Sequence, residues 1–449
     1  MSTTTSVLPG FGEPPQADVI QRRVLGSRVF ILNRPEVYNA LNLSMIRNMT
    51  PQLQVWNESD LCKVIILKST GNTFFCSGGD VKHVINQEPS EAAKFFEEEY
   101  QLNHLIATLH KPFVSFLNGI TMGGGVGLSV HAPFRVATEE TIFAMPEAKI
   151  GFFPDVGGSF FLPRMDGEVG TYLALTGARL SGLDVFFSGI ATHYVPSYRL
   201  PLLEVRLSEL ESDDHEIINA AIEEFVAECD EKHIYSLGGE IRKSIDRCFN
   251  KDTVEEIIDA LEKENTDWSK KTIETISLMS PTSLKVTLME LRRGKKMVIT
   301  DCFKMEYGLA QKFLEKSDFK TGVKAVLIDK IKEKPKWDPS TLKDITLQDI
   351  ENYYFSDSNS KLELLKNISY ENYPFSRFNL PSEEEIRKVV TGETPDAGSM
   401  SMTQQEVVDF FMKDRKGKIG VREKVLEVLN RKTIVKKGQE DLTWIEDTD

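Results

Sequence analysis

From residue 19 to residue 198, short runs of consecutive apolar residues alternate with stretches of helical periodicity. Residues 29–32 (Val-Phe-Ile-Leu), 64–67 (Val-Ile-Ile-Leu), 113–117 (Phe-Val-Ser-Phe-Leu) and 134–137 (Phe-Arg-Val-Ala) have the length and composition of strands. Between the first two, Leu41, Met45, Met49 and Leu53 recur at the spacing that lines one face of a helix. Asn39 or Asn42 is placed to cap that helix, because a short polar side chain satisfies free backbone N–H groups. Strands alternating with helices predict an α/β layer with its active edge at the loops.

The pattern changes at residue 204. Long, charged, periodic segments follow, such as 252–263 with Val254, Ile257, Ile258 and Leu261 on one face, and they predict a helical region to residue 334. Pro335, Trp337 and Pro339 open a third zone whose polar stretches, 356–361 and 391–402, read as loops or linkers. Its last clear helix carries Val421, Val425, Val428 and Leu429 on one side. The organisation expected is an N-terminal extension (1–20), an α/β core (21–203), a helical region (204–334) and a C-terminal extension (335–449). A length of 449 residues suits two to three such units.

Composition narrows the classes. A net charge of −14 opposes general nucleic-acid binding, though not a local basic patch. No apolar run approaches the roughly 20 residues of a membrane span. The five cysteines are widely spaced without a Cys-x-x-Cys pair, which indicates neither a disulfide framework nor a zinc cage and predicts a reducing compartment. Residues 1–20 contain Glu13 and Asp18 but no Lys or Arg, unlike a basic mitochondrial presequence, and they lack a secretory apolar segment.

Two glycine clusters stand out. One is Phe75-Cys76-Ser77-Gly78-Gly79-Asp80, just after the second strand; the other runs from Asn118 to Gly127 and holds Gly123, Gly124 and Gly125 at the start of a helix. Glycines at a helix start let a ligand approach bare N–H groups that the helix dipole makes more electropositive. Two such loops aimed at one oxygen would form an oxyanion hole; tight turns with close packing are the plainer alternative. A dinucleotide fingerprint fails because Leu128 occupies the third glycine position, and no Gly-Lys-Ser/Thr follows to make a phosphate loop. Downstream, Glu147 lies in Phe143-Ala144-Met145-Pro146-Glu147, and Asp155 in a run of Phe, Pro, Val and Gly. Apolar surroundings disfavour an ionised carboxylate and poise it as base, acid or nucleophile. A surface Glu147 and a capping Asp155 are the alternatives. His83, His131 and His193 are not at metal spacing, 213–216 reads as a solvated loop, and Cys76 reads as a small buried hydrophobe.

Taken together, these segments resemble the enoyl-CoA hydratase/isomerase (crotonase) superfamily. The ordered set is Asn33, Arg34 and Pro35 with Asn39, Ala40 and Leu41, then the first glycine cluster, then Gly119 with Gly123–Gly125. The stretch from His110 through the second cluster to His131, followed by 143–147 and 151–158, is similar to the 3-hydroxyisobutyryl-CoA hydrolase branch; 279–284 and 325–330 extend the match. The resemblance covers about residues 20–340. It implies a superhelix of ββα units followed by an α-helical region, in an α/β fold, with the last hundred or so residues unexplained. It implies that the Gly79 and Gly124 N–H groups hold the thioester oxygen, that Glu147 activates water or attacks the thioester, and that Asp155 binds the substrate hydroxyl. Glu99, Gly78 and Asp80 are implied pocket residues. Gly127 stands where hydratases carry their first catalytic glutamate, which disfavours hydration. Thr321-Gly322-Val323-Lys324 departs from the branch's acidic-Gly-Val-Arg pattern. No cofactor or metal is implied, coenzyme A being part of the acyl-CoA substrate, and the implied location is mitochondrial.

From Lys413 to Lys437 the chain carries ten Lys/Arg against three acids, a net of +7. Such a segment either docks on the acidic body of its own chain or contacts RNA or an acidic partner. Fungal relatives of this branch are components of the mitochondrial small ribosomal subunit, so the resemblance also implies a structural role, with or without retained chemistry.

Overall fold

The computed structural model describes residues 17–228, 233–356, 361–394, 402–435 and 441–445. Cys229, Lys436, Lys437, residues 1–16 of the N-terminal extension, and 357–360 and 395–401 of the two polar stretches lie outside the described residues. Between residues 19 and 194 the strands are β1 (Val19–Val24), β2 (Ser27–Leu32), β3 (Val64–Ser69), β4 (Phe74–Cys76), β5 (Phe113–Leu117), β6 (Ile120–Met122), β7 (Phe134–Ala137), β8 (Ile142–Ala144), β9 (Leu180–Ser181) and β10 (His193–Tyr194). All four apolar runs are strands.

Two sheets result. One has the order β1-β2-β3-β5-β7-β10 and is antiparallel only between β1 and β2. The other has the order β4-β6-β8-β9 and is parallel except between β8 and β9. Successive strands thus alternate between sheets: β3 then β4, β5 then β6, β7 then β8. After β4 and β6 the chain leaves in helices, including Pro89–Ala107 and Gly124–Gly127. This is the expected superhelix of ββα units.

The unbroken apolar runs have a simple cause. In the larger sheet Phe30, Leu32, Ile65, Leu67, Phe113 and Leu117 point into one buried cluster. Their neighbours Val29, Ile31, Val64, Ile66, Val114 and Phe116 point into a second, closed by Leu203, Leu207, Ile218 and Ile222 from the Leu200–Ser208 and His215–Glu223 helices. Both faces are covered, so polar residues do not alternate with apolar ones. Helix Leu43–Asn57 buries Met45, Met49 and Leu53, and Asn42 caps it by accepting from the Met45 N–H at 2.8 Å. In the 213–216 segment Asp213 and Asp214 are an exposed loop, as expected, while His215 and Glu216 begin the following helix; Asp213 pairs with Lys111 at 2.5 Å, and Asp214 caps the helix by accepting from the Glu216 N–H.

The helical region and the C-terminal extension join the same core, since the first cluster runs from Val19 to Leu442. The basic segment docks on its own chain. Lys418 pairs with Glu223 (2.5 Å), Lys424 with Asp166 (2.7 Å), Arg415 with Glu385 (2.5 Å) and Arg431 with Glu383 (2.8 Å). Lys418, Lys424, Arg431 and Lys432 are buried. Of the two readings of 413–437, docking on its own chain is the one these pairs show: most of its described cations are neutralised internally, and Lys413, Lys416 and Arg422 are the described ones that stay exposed.

Candidate active site

Strands β4 and β6 run parallel, with Cys76 opposite Thr121, so the loops leaving their C-terminal ends lie side by side. These are the two glycine clusters, and they open into a cavity of about 680 Å³. Gly78, Gly79, Glu99, Gly124, Glu147 and Asp155 all line it. A Cβ added to Gly124 would sit 3.1 Å from the Gly79 nitrogen and 2.5 Å from Glu99 Oε1. One added to Gly78 would be 4.0 Å from the Gly124 nitrogen, and one on Gly123 2.8 Å from Glu147 Oε1. Glycine therefore keeps open the space between the amides and the carboxylates. Gly78 (φ 116°) and Gly123 (φ 46°) also hold backbone angles that other residues rarely adopt. Among the described residues neither the Gly79 nor the Gly124 N–H has an acceptor. Two free amides at one cavity wall have the makings of an oxyanion hole.

The carboxylates arrive from three directions. Glu147 opens a short helical turn, Glu147–Ile150, after β8; it is buried, and Oε2 lacks a partner among the described residues. Burial, then the Asp155 charge, pushes its carboxyl well above the ordinary range. Glu99 projects from the Pro89–Ala107 helix with Oε1 unpartnered, and burial, Asp155 and Glu147 raise it likewise. Asp155 accepts from the Tyr100 hydroxyl at 2.7 Å; burial raises its pKa to about 7 against the opposing effect of that bond. The plainer alternatives, a surface Glu147 and a capping Asp155, do not fit: both side chains are buried at the cavity.

The turn that presents Asp155 is strained and held. Val156 has φ 56° and Gly157 φ 85°, and a left-handed angle is unfavourable for a β-branched residue. Burial pushes His131 down to about 4, so the ring is neutral near pH 7, and its Nε2 lies 2.8 Å from the Val156 carbonyl. Glu306 accepts from the Gly157 N–H (2.7 Å), the Ser159 N–H (2.9 Å) and Ser159 Oγ (2.5 Å). His131 is thus a core strut. Glu306 and the equally buried Glu290 escaped the sequence reading. The signal was present: Glu306 falls among Ile299, Cys302, Phe303, Ala310 and Phe313, on the apolar stripe of its helix.

Asp80 is a correction. It does not line the cavity; its carboxylate faces Arg34 at 3.2 Å, and its N–H bonds Leu41 O, so it ties the first glycine loop to the segment before the Leu43–Asn57 helix. Cys76 is buried, with its thiol pushed up to about 12, an inert position. A Cβ at Gly127 would lie 2.6 Å from Val156 and 2.9 Å from Asn103, leaving no room for a glutamate. Among the described residues no group of three or more His, Cys, Asp or Glu is disposed to hold a metal, and no helix is long and apolar enough to cross a membrane.

A family profile described as enoyl-CoA hydratase/isomerase matches residues 27–354. The chain belongs to the enoyl-CoA hydratase/isomerase family. Among curated members, it is 46% identical to small ribosomal subunit protein mS47 of Neurospora crassa, over 97% of this chain and 89% of that protein. It is 45% identical to the mitochondrial 3-hydroxyisobutyryl-CoA hydrolase of Homo sapiens, over 75% of this chain and 88% of that protein. A carnitinyl-CoA dehydratase from Mycobacterium thermoresistibile superimposes with a TM-score of 0.70 at 34% identity, covering 78% of this chain and all of that one. These relationships place this family member in the mitochondrion. The family profile stops at 354, whereas the Neurospora relative also matches most of the C-terminal extension.

Proposed function

We propose that the protein hydrolyses the thioester of 3-hydroxyisobutyryl-CoA to 3-hydroxyisobutyrate and free CoA, a reaction of valine breakdown. The observation that carries this reading is the juxtaposition of two unengaged amides, at Gly79 and Gly124, with the buried carboxyls of Glu147 and Asp155. As the thioester carbonyl is attacked its oxygen gains negative charge, and preorganised N–H donors stabilise that charge without reorienting. Glu147 either takes a proton from the attacking water or attacks the carbonyl itself, forming an anhydride that water opens. In both routes the C–S bond breaks, oxygen from water enters the acid, and a proton reaches sulfur. Asp155, oriented by Tyr100, receives the substrate hydroxyl. Exposed Lys149, Arg179 and Lys271 at the cavity rim suit the phosphates of coenzyme A. The name of the human relative supports the choice of acyl group. A thiol-release assay on a panel of acyl-CoA thioesters tests it: fastest turnover is expected on 3-hydroxyisobutyryl-CoA, and no turnover on any member would reject the proposal.

A second reading is favoured by the Neurospora relative, whose match extends through the C-terminal extension. On this reading the chain is also a component of the mitochondrial small ribosomal subunit. Sedimentation of a mitochondrial lysate tests it: co-migration with small subunits supports the role, and confinement to the slow soluble fractions rejects it.

A further inference from the structure

The Pro281–Gly294 helix connects two parts of the site. At its start the Ser280 N–H bonds the Ala148 carbonyl at 3.3 Å, one residue after Glu147. At its end Gly294 presses on the Ser159 carbonyl so closely that a Cβ would overlap it, and Ser159 is bonded by Glu306. Between these anchors Ser283, Thr287 and Glu290 share one face, within about 60° of rotation and roughly 10 Å of helix length. All three are 0% exposed. Ser283 Oγ, Thr287 Oγ1 and both Glu290 carboxyl oxygens have no hydrogen-bond partner among the described residues. None of the three lines the substrate cavity. Burial, then the charges of Glu306, Asp155 and Glu147, holds the Glu290 carboxyl well above its ordinary range.

A row of buried, unbonded polar atoms is unfavourable, and internal water making two to four hydrogen bonds is the usual way such atoms are satisfied. A hydrolase also needs water at the reacting carbon while a bulky acyl-CoA fills its cavity. We infer that Ser283, Thr287 and Glu290 hold a chain of ordered water molecules that leads to the catalytic carboxylates outside the substrate cavity and supplies the hydrolytic water. The supply role rests on the proposed hydrolysis; the presence of the waters does not.

Two experiments separate them. A crystal structure of the protein that orders internal solvent is expected to show waters within hydrogen-bond distance of Ser283 Oγ, Thr287 Oγ1 and Glu290; a dry seam overturns the inference. Thr287→Val removes one hydroxyl with little change of shape, and a melting temperature near the parent's checks folding. Its kcat for thioester hydrolysis is expected to fall about tenfold, the effect of one lost hydrogen bond, with KM unchanged and Thr287→Ser restoring the rate. A parental kcat in Thr287→Val overturns the supply role. Ordered waters in a protein inactive on every acyl-CoA uphold the water chain and reject the hydrolase reading.

Discussion

Asparagine at Asp155 would keep the side chain's shape and an acceptor for the Tyr100 hydroxyl while removing the charge. Burial lifts the Asp155 pKa from 3.8 to about 7, with the Tyr100 bond opposing the change. A carboxyl whose folded pKa lies above its unfolded value binds its proton more tightly in the folded chain. Its stabilising contribution is therefore fully present below about pH 4 and is lost as pH rises through 7. At roughly 1.4 kcal/mol per pH unit, the difference between the two values amounts to about 4 kcal/mol by pH 8.5, and about 2 kcal/mol of it is already lost at pH 5. The stability of Asp155→Asn relative to the parent should thus rise by about 2–3 kcal/mol between pH 5 and pH 8.5. Urea unfolding of both proteins at the two pH values measures this. A difference that does not change with pH, or a parent that gains on the variant as pH rises, would refute the reasoning. The strain that makes this residue chemically useful would then lie elsewhere.

Other outcomes follow from the same geometry. Gly124→Ala would put a methyl between the Gly79 amide and Glu99; a loss of roughly 2.7–4 kcal/mol of transition-state stabilisation is expected in kcat, the value of one oxyanion donor, and a parental kcat would argue against it. Asp155→Asn should lose more activity on 3-hydroxyisobutyryl-CoA than on isobutyryl-CoA, and an equal loss on both would argue against hydroxyl recognition. Asp166→Asn leaves Lys424 buried beside a neutral partner and is expected to destabilise by about 3–5 kcal/mol at pH 7. Burial raises the Asp166 pKa, but Lys424 and Arg242 outweigh it and hold it at about 2, so this stabilisation is present above about pH 4 and lost as pH falls toward 2. An Asp166→Asn melting temperature equal to the parent's at pH 7 would contradict it.

Much of the candidate site's placement was legible because it is built from short segments. Gly79, Gly124, Glu147 and Asp155 sit in contiguous motifs whose apolar or glycine-rich neighbours announce burial and close approach. The strands were legible for a related reason: β2, β3, β5 and β7 are covered on both faces, and consecutive apolar residues follow from that. What failed depends on partners distant in sequence. Asp80 looks like a pocket residue until Arg34, 46 positions earlier, claims its carboxylate. That the basic segment 413–437 docks on its own acidic body was among the sequence's readings, but its partners Glu223, Asp166 and Glu383 were not legible in it. Glu290 and Glu306 were hidden among many surface acids, although each occupies a core position of its helix.

The central claim is that Glu147 performs the chemistry between two oxyanion-binding amides. Glu147→Gln preserves size and hydrogen bonding but can neither take up a proton nor attack a thioester. Free-thiol release from 3-hydroxyisobutyryl-CoA by this variant should fall by at least about 10²-fold, while calorimetry still detects acyl-CoA binding close to the parent's. Near-parental thiol release by Glu147→Gln would contradict the account.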